Sequence, residues 1–390
     1  MSKTMNVPKL RFSEFSGDNT KYTFEDIFNF STGKNIKQNE ASPDFEIPCV
    51  RYGELYHMYG EVITKVINKT NLDKSELLFS VGNEILMPSA GEDPLDIGSA
   101  SALTIKDVAI GRTINILRPL NENVYSQRYV SYYINTKLRK KISTLAKGSS
   151  ISNVYNSDLK KLKILLPTIQ EQKKIVSFLS SIDTKIEQLT KKESLLQEYK
   201  KGVMQKIFNQ EIRFKADDGS EFCDWEEKKL GDISTKKSSN ISANTLEENN
   251  GKYKIYGASG LLKYVDFYNE KNDYISIVKD GAGVGRVSLC DKESSVLGTL
   301  DIIKEKERIN LKFVYLLLTR IHFEKYIVGS TIPHIYYKDY SLEKVKIPCL
   351  EEQTKIANFL SSIDKKIENT KTQLEKTKEF KKALLQQMFV

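Results

Sequence analysis

Phe178-Leu179-Ser180-Ser181-Ile182-Asp183 recurs as Phe359-Leu360-Ser361-Ser362-Ile363-Asp364, and each copy is followed one residue later by Lys-Ile-Glu, at 185–187 and 366–368. Working outward at the same offset of 181, residues 167–208 align without a gap on 348–389, with 19 identities in 42 positions. Glu171-Gln172 matches Glu352-Gln353. Further upstream Gly148, Ser149, Ile151, Tyr155 and Asp158 match Gly329, Ser330, Ile332, Tyr336 and Asp339. Weaker echoes open each half: Leu10-Arg11-Phe12 against Ile212-Arg213-Phe214, and 24–27 against 229–233. A repeat of fixed offset governs the architecture before any local propensity does. The chain reads as lobe, helix, lobe, helix, with segments 1–166, 167–208, 209–347 and 348–390.

Both 42-residue copies are predicted helical, because apolar residues return at alternating steps of four and three. The first series is Ile175, Leu179, Ile182, Ile186, Leu189, Leu196, Val203 and Ile207; the second is Ile356, Leu360, Ile363, Ile367, Leu374, Leu384 and Met388. Pro167 and Pro348 stand at the entrances, where proline is tolerated, and neither segment has one inside. About 38 helical residues would span roughly 57 Å, too long to hide in one small domain. Glu193 and Lys200 interrupt the first seam, and Thr370, Thr377 and Lys381 the second. Polar seam positions of this kind fix register at some cost in stability. A structural or dimerising coiled coil is the plain reading of such heptads. Two copies on one chain add another, in which they pair with each other as an antiparallel intramolecular coiled coil about a pseudo-two-fold axis.

The fold class predicted is therefore α+β: two β-rich mixed lobes separated by two long helices. The lobes show short apolar runs broken by Gly, Pro, Asn and Asp, with strands expected at 114–117, 274–278 and 300–303 and helices at 129–145 and 311–326. Two glycine-rich turns lie in the second lobe, Tyr253-Lys254-Ile255-Tyr256-Gly257-Ala258-Ser259-Gly260 and Lys279-Asp280-Gly281-Ala282-Gly283-Val284-Gly285-Arg286. They could be hairpin turns and nothing more, or loops that approach a phosphate or base edge closely because Gly frees the backbone. The second is not a dinucleotide fingerprint, since Val287-Ser288-Leu289 after it reads as strand rather than helix. Residues 49–53 and 87–91 occupy comparable places in the first lobe.

Composition narrows the function. The 390 residues carry 60 basic and 51 acidic side chains, a net +9, which favours a polyanionic partner; 39% hydrophobic content fits a folded chain. No run approaches the roughly 20 apolar residues of a membrane span, and the N-terminus lacks the apolar core of a signal peptide, so a cytoplasmic protein without membrane contact is expected. Four cysteines stand far apart with no CxxC pair, and three histidines have no metal spacing, so no metal site is expected. No Walker A sequence occurs, and Gly33-Lys34 lacks the earlier glycine. An Asn/Asp-Pro-Pro-aromatic motif for methylating a flipped base is missing, as is a zinc deaminase pattern. The charge cluster at 301–306 reads as solvated surface. No catalytic residue is expected.

At this point the combination resembles the specificity subunit of a type I restriction-modification system. The residues that carry the resemblance are the Pro-x-x-x-Glu-Gln entrances at Pro167 and Pro348, the Phe-Leu-Ser-Ser-Ile-Asp cores, the opening Pro8-Lys9-Leu10-Arg11-Phe12, and Gly219 to Trp225 followed by Leu230-Gly231-Asp232-Ile233. The first lobe departs in having no Trp opposite Trp225, with Phe24 the nearest substitute. The resemblance implies a non-catalytic subunit with two target-recognition domains, each reading one half of a bipartite asymmetric site in double-stranded DNA. It implies helices that space the domains and bind two methyltransferase (modification) subunits, with restriction/translocase subunits able to join. S-adenosylmethionine, ATP and magnesium would then reside on those partners and not on this chain.

The residue chemistry converges on the same mechanism, with Lys and Arg for phosphate and guanine, Asn for adenine, and Ser, Thr and Tyr as versatile contacts. Candidate DNA-binding residues are Lys34, Arg51, Tyr52, Ser89, Ser149 and Asn153 in the first lobe, and Tyr256, Ser259, Lys263, Lys279, Arg286, Thr331, His334 and Tyr336 in the second. Candidate partner contacts on the helices are Phe178, Tyr199, Phe208, Phe359, Phe380 and Phe389. The competing reading is a coiled-coil scaffold without sequence-specific DNA binding, because the helices hold eight lysines each and about +5 of the net charge. A self-sufficient nuclease or methyltransferase is a third.

Overall fold

The computed structural model describes residues 7–121, 123–148, 150–246 and 251–390. Two long helices, Ile169–Phe208 and Leu350–Met388, occupy the two repeat copies. The chain divides into two compact units, Met1–Thr190 with Thr372–Val390, and Lys191–Lys371, so each unit takes one half of each helix.

In the first unit Ile175, Val176, Leu179 and Ile182 share a core with Leu384, Met388 and Phe389, so the start of one helix lies beside the end of the other. In the second, Val203 and Ile207 pack with Ile356, Leu360, Ile363 and Ile367. The helices are thus antiparallel in each unit, as the seam predicts. The two lysine interruptions are paired. Lys200 meets Asp364, and Lys381 meets Asp183 at 2.7 Å and Glu61 at 3.0 Å. Lys200 and Lys381 are repeat equivalents, as are Asp183 and Asp364, so one ion pair is made twice in reciprocal sense. Asp183 also accepts the hydroxyl of Tyr132. Burial tends to lower the pKa of Lys381, but Glu61 and Asp183 outweigh it and hold the ammonium above the usual lysine value.

Each lobe is a mixed β domain. The first has a five-stranded sheet in the order Phe28–Thr32, Ile114–Pro119, Glu84–Pro88, Ser101–Leu103, Val62–Ile63, and a four-stranded sheet, Lys69–Thr70, Ile47–Val50, Lys106–Ile110, Phe79–Val81. The second has a four-stranded sheet, Ser234–Ser238, Leu300–Glu305, Tyr274–Val278, Val287–Cys290, and a three-stranded one, Gly260–Val265, Tyr253–Gly257, Ser294–Val296. The three strands expected from the sequence are present. The expected helix at 129–145 forms as Gln127–Tyr133, a π-turn over Ile134–Leu138 and then Arg139–Ser143; that at 311–326 stops at Leu318 and resumes as a 3-10 turn, Phe323–Tyr326.

A two-stranded ribbon closes each lobe just before its long helix: Thr20–Thr23 against Lys163–Leu166, and Glu226–Lys229 against Lys344–Ile347. This register corrects the sequence alignment. Thr20 opposes Leu166 as Glu226 opposes Ile347, so Trp225 corresponds to Asn19, whereas Phe24, fully buried, corresponds to the buried Leu230. Composition pointed to the aromatic ring; pairing shows that Phe24 fills a core position.

The Glu-Gln dipeptides explain themselves here. Glu171, buried, accepts a two-pronged bond from Arg11, Nε to Oε1 at 2.8 Å and Nη2 to Oε2 at 2.7 Å. Glu352, also buried, accepts Arg213 at 3.3 and 2.8 Å and the indole N–H of Trp225 at 3.1 Å. The hydrogen bond to the glutamate raises each arginine above its ordinary pKa. Gln172 donates to Pro167 O and Val124 O and accepts from Ser126 N; Gln353 donates to Pro348 O and accepts from Asn310 N. One residue ties the opening segment of each half to its helix, and the next ties in the loop that starts a lobe helix. Because removing one partner of a buried ion pair leaves the other uncompensated, Glu352→Ala should destabilise the second unit by about 3 kcal/mol in urea unfolding. Glu352→Gln, which keeps an oxygen for Trp225, should cost about half as much. An alanine variant as stable as the parent would show that Arg213 turns to water without penalty.

Candidate nucleic-acid interface

In the second lobe the strand Tyr274–Val278 leads into the loop 279–286 and returns as Val287–Cys290 in antiparallel register. Gly281, Gly283 and Gly285 all have φ between 80° and 87°, and a Cβ on Gly285 would lie 2.6 Å from the Phe323 Cβ, so only glycine lets this loop close. The loop is clipped to the segment that follows the repeated Gly-Ser: Gly281 N donates to Pro333 O, and Ile335 N to Lys279 O. His334 pairs with Asp280, and the Tyr336 ring lies 4.1 Å from the His334 ring, with the Lys338 ammonium 5.3 Å from the Tyr336 centroid. Arg286 Nη1 donates at 2.6 Å to Ala258 O, which joins this loop to the Tyr256–Gly260 turn and its exposed Ser259. A depression of about 470 Å³ is lined by Lys236, Lys279, Asp301, His334, Tyr336 and Lys338 among others. Asp301 is buried against Ser238, Lys279 and Lys236, an internal ion cluster on the strand it belongs to.

The first lobe repeats the frame with other side chains. Val154 N donates to Ser89 O as Ile335 N does to Lys279 O, so Ser89 stands where Lys279 does. Ser152–Asn153 pairs with Ala90–Gly91. Ser89 N donates to Thr113 O, and the Tyr56 hydroxyl to Ala90 O. A cleft of about 560 Å³ is lined by Tyr52, Tyr56, His57, Glu92, Asp93, Asp96, Thr113 and Ile151 among others. Lys34, exposed, follows Gly33, whose Cβ, if present, would lie 1.9 Å from Gly111 O; Gly111 N in turn donates to Val50 O beside Arg51. Arg51 Nε donates to the buried Glu54 at 2.9 Å.

Of the candidates read from sequence, the structure brings Tyr52, Ser89 and Asn153 to one end of the first lobe, and Lys279, His334 and Tyr336, with Arg286 and Ser259 adjoining, to the corresponding end of the second. Lys34 and Arg51 flank the Gly33–Gly111 crossing, with Lys34 N donating to Ile110 O and Arg51 beside Gly111. Thr331 is exposed beside His334 in the clipped segment. Tyr256 donates to Asp291 at 3.3 Å, and Lys263 to Leu246 O at 3.1 Å. Ser149 lies outside the described residues. Sequence reasoning missed the acceptors Glu92, Asp93 and Asp96 and the donors Lys236 and Lys338, which no motif marks; the loops they flank were the available signal.

On the helices, Tyr199 and Phe380 are 55% and 53% exposed and are repeat equivalents. The other aromatic candidates pack inward. Phe178 lies edge-on to Phe12 and Phe359 to Phe214; Phe208 packs with Trp225 and Phe313, and Phe389 is buried against Tyr129 and Tyr133.

Among the described residues no group of three or more His, Cys, Asp or Glu could hold a metal, and no helix is long and apolar enough to cross a membrane. The chain belongs to the type I restriction modification DNA specificity domain family, whose model matches residues 17–197 and 223–379. It is a specificity subunit, the non-catalytic component of such a system, and the scaffold reading is not favoured. A putative type I restriction enzyme specificity subunit of Methanocaldococcus jannaschii is 28% identical over 300 residues, 70% of each chain. The crystal structure of a type I restriction-modification S subunit from M. genitalium superposes with a TM-score of 0.71 at 20% identity, over 98% of this chain and 99% of that one. A chain from a structure described as underlying complex assembly and conformational transition of the type I R-M system gives 0.51 at 14% identity, over 94% and 96%.

Proposed function

We propose that this specificity subunit reads a bipartite, asymmetric site in double-stranded DNA, one lobe per half-site. The observation that carries this is the shared frame with exchanged chemistry. Ser89 and Asn153 stand where Lys279 and His334 do; Glu92, Asp93 and Asp96 line the cleft of the first lobe, whereas Lys236, Lys279 and Lys338 line that of the second beside the buried Asp301. Carboxylates accept from the amino groups of cytosine and adenine, whereas lysines donate to guanine O6/N7 and to phosphate, so unlike loops suit unlike half-sites. Lys34, Arg51, Tyr52, Ser149, Tyr256, Ser259, Lys263, Arg286, Thr331 and Tyr336 complete the proposed contacts.

The paired helices set the number of base pairs between the half-sites and carry the docking faces for two modification subunits. The equivalent exposed rings of Tyr199 and Phe380 support two like contacts. Restriction/translocase subunits join through these, and S-adenosylmethionine, ATP and magnesium act on the partners, in the cytoplasm.

Selection from a randomised duplex pool by the chain assembled with modification subunits tests this. Two constant blocks separated by a fixed unselected gap are expected; one uninterrupted block, or no enrichment, overturns it.

A further inference from the structure

Each unit extends a short ribbon from its reading loops. In the first, Lys147 and Asn153 exchange backbone hydrogen bonds of 3.0 and 2.8 Å; in the second, Val328 and His334 exchange two of 2.9 Å. The turn needs its glycine in both. Gly148 and Gly329 have φ of 135° and 86°, and a Cβ on either would lie 2.1 Å from Ile151 O or 2.6 Å from Ile332 O. At the tips stand Ile151, 57% exposed, and Ile332, which at 65% is the most exposed large apolar side chain among the described residues; at the bases are Tyr155 and Tyr336, 54% and 46% exposed.

Side chains that select different bases must differ between the lobes, and Ser89 against Lys279 and Asn153 against His334 do. The glycine, isoleucine and tyrosine of the ribbon are identical at the repeat offset. Whatever both ribbons touch is therefore the same at both half-sites. The minor groove is the less discriminating of the two, since A·T and T·A look alike there and G·C differs by the guanine amino group alone, and it is the groove in which proteins insert apolar side chains against base steps. The ribbons hang by backbone hydrogen bonds from the proposed reading loops, Val154 to Ser89 and Ile335 to Lys279. The second tip also has Ser330 and Thr331 for phosphate oxygens, with the Lys338 ammonium beside Tyr336. These surroundings favour DNA over a protein surface.

We propose that Ile151 and Ile332 are a matched pair of minor-groove contacts, made alike at both half-sites whatever their sequence. This rests on the proposed reading of the lobes as DNA readers. The test is Ile151→Ser, Ile332→Ser and the double variant, each in the full chain assembled with modification subunits. Binding to the duplex selected by the parent, the sequence returned by fresh selection, and hydroxyl-radical protection of the sugar edges are all measured. Each single variant should bind about tenfold more weakly and lose minor-groove protection in one half-site, while the selected sequence stays the same. Parental affinity and protection, a changed selected sequence in one half-site, or weakened capture of the modification subunits without DNA would each overturn the proposal and leave the lobes as readers. Failure of the parent to select any sequence would overturn both.

Discussion

Replacing residues 1–166 by the corresponding stretch of another family member should exchange one half-site completely and leave the other untouched. Ser89, Asn153 and Tyr52 lie in one unit and Lys279, His334 and Tyr336 in the other, each loop set closed by its own strands. With about 1–3 kcal/mol lost per mismatched base pair, binding to the parental site should fall at least about 100-fold. The graft must bring an arginine for Glu171, a backbone at 124–126 that meets Gln172, a tyrosine for Asp183 and an apolar seat for Phe389, because these contacts cross its boundary. Selection from a random pool reads the outcome. A change in both half-sites would show that the lobes do not read separately.

Lengthening both helices by seven residues, after Leu189 and after its repeat equivalent Thr370, should abolish recognition of the parental site and restore it on sites with a wider gap. Seven residues keep the heptad face and add about 10 Å of helix, the rise of about three base pairs. Both half-sites should be unchanged. Inserting into one helix alone misaligns the Lys200–Asp364 and Lys381–Asp183 pairs, so that variant should be destabilised as well as misdirected. A gap that stays constant after the double insertion would mean that something other than the helices measures it.

The helices were legible because their signal is periodic and doubled: the seam, its polar breaks and the entrances all appear twice at one offset. Sequence marked Lys200 and Lys381 as interruptions but could not supply their partners, since an ion pair between antiparallel helices joins residues 164 positions apart. Glu171 and Glu352 stood out as motif and Arg11 and Arg213 as echo, yet only folding puts them together. The lobes were legible in outline alone. Their strands run two to six residues, too short to carry a period, and their order mixes parallel and antiparallel neighbours. Trp225 misled for a related reason, because the residue opposite it, Asn19, shares its register and none of its chemistry. The reading loops could be located by glycine and repeat, whereas the acidic lining near Tyr52 comes from residues 92–96, whose carboxylates look in sequence like ordinary turn surface.

The burial of Phe389 between Tyr129 and Tyr133, with the Tyr133 hydroxyl donating to Val390 O at 2.9 Å, has a consequence in time as well as in space. The unit built from residues 1–190 receives its final wall from residues 372–390, about 200 positions later in the chain, whereas residues 191–371 form one uninterrupted stretch. At about 5–20 residues per second the earlier lobe emerges from the ribosome roughly 10–40 seconds before the piece that seals it. During that interval Leu179, Ile182 and Tyr129 lack their covering helix. Chaperones have their opening there, and a substitution that unseats Phe389 would injure the N-terminal lobe.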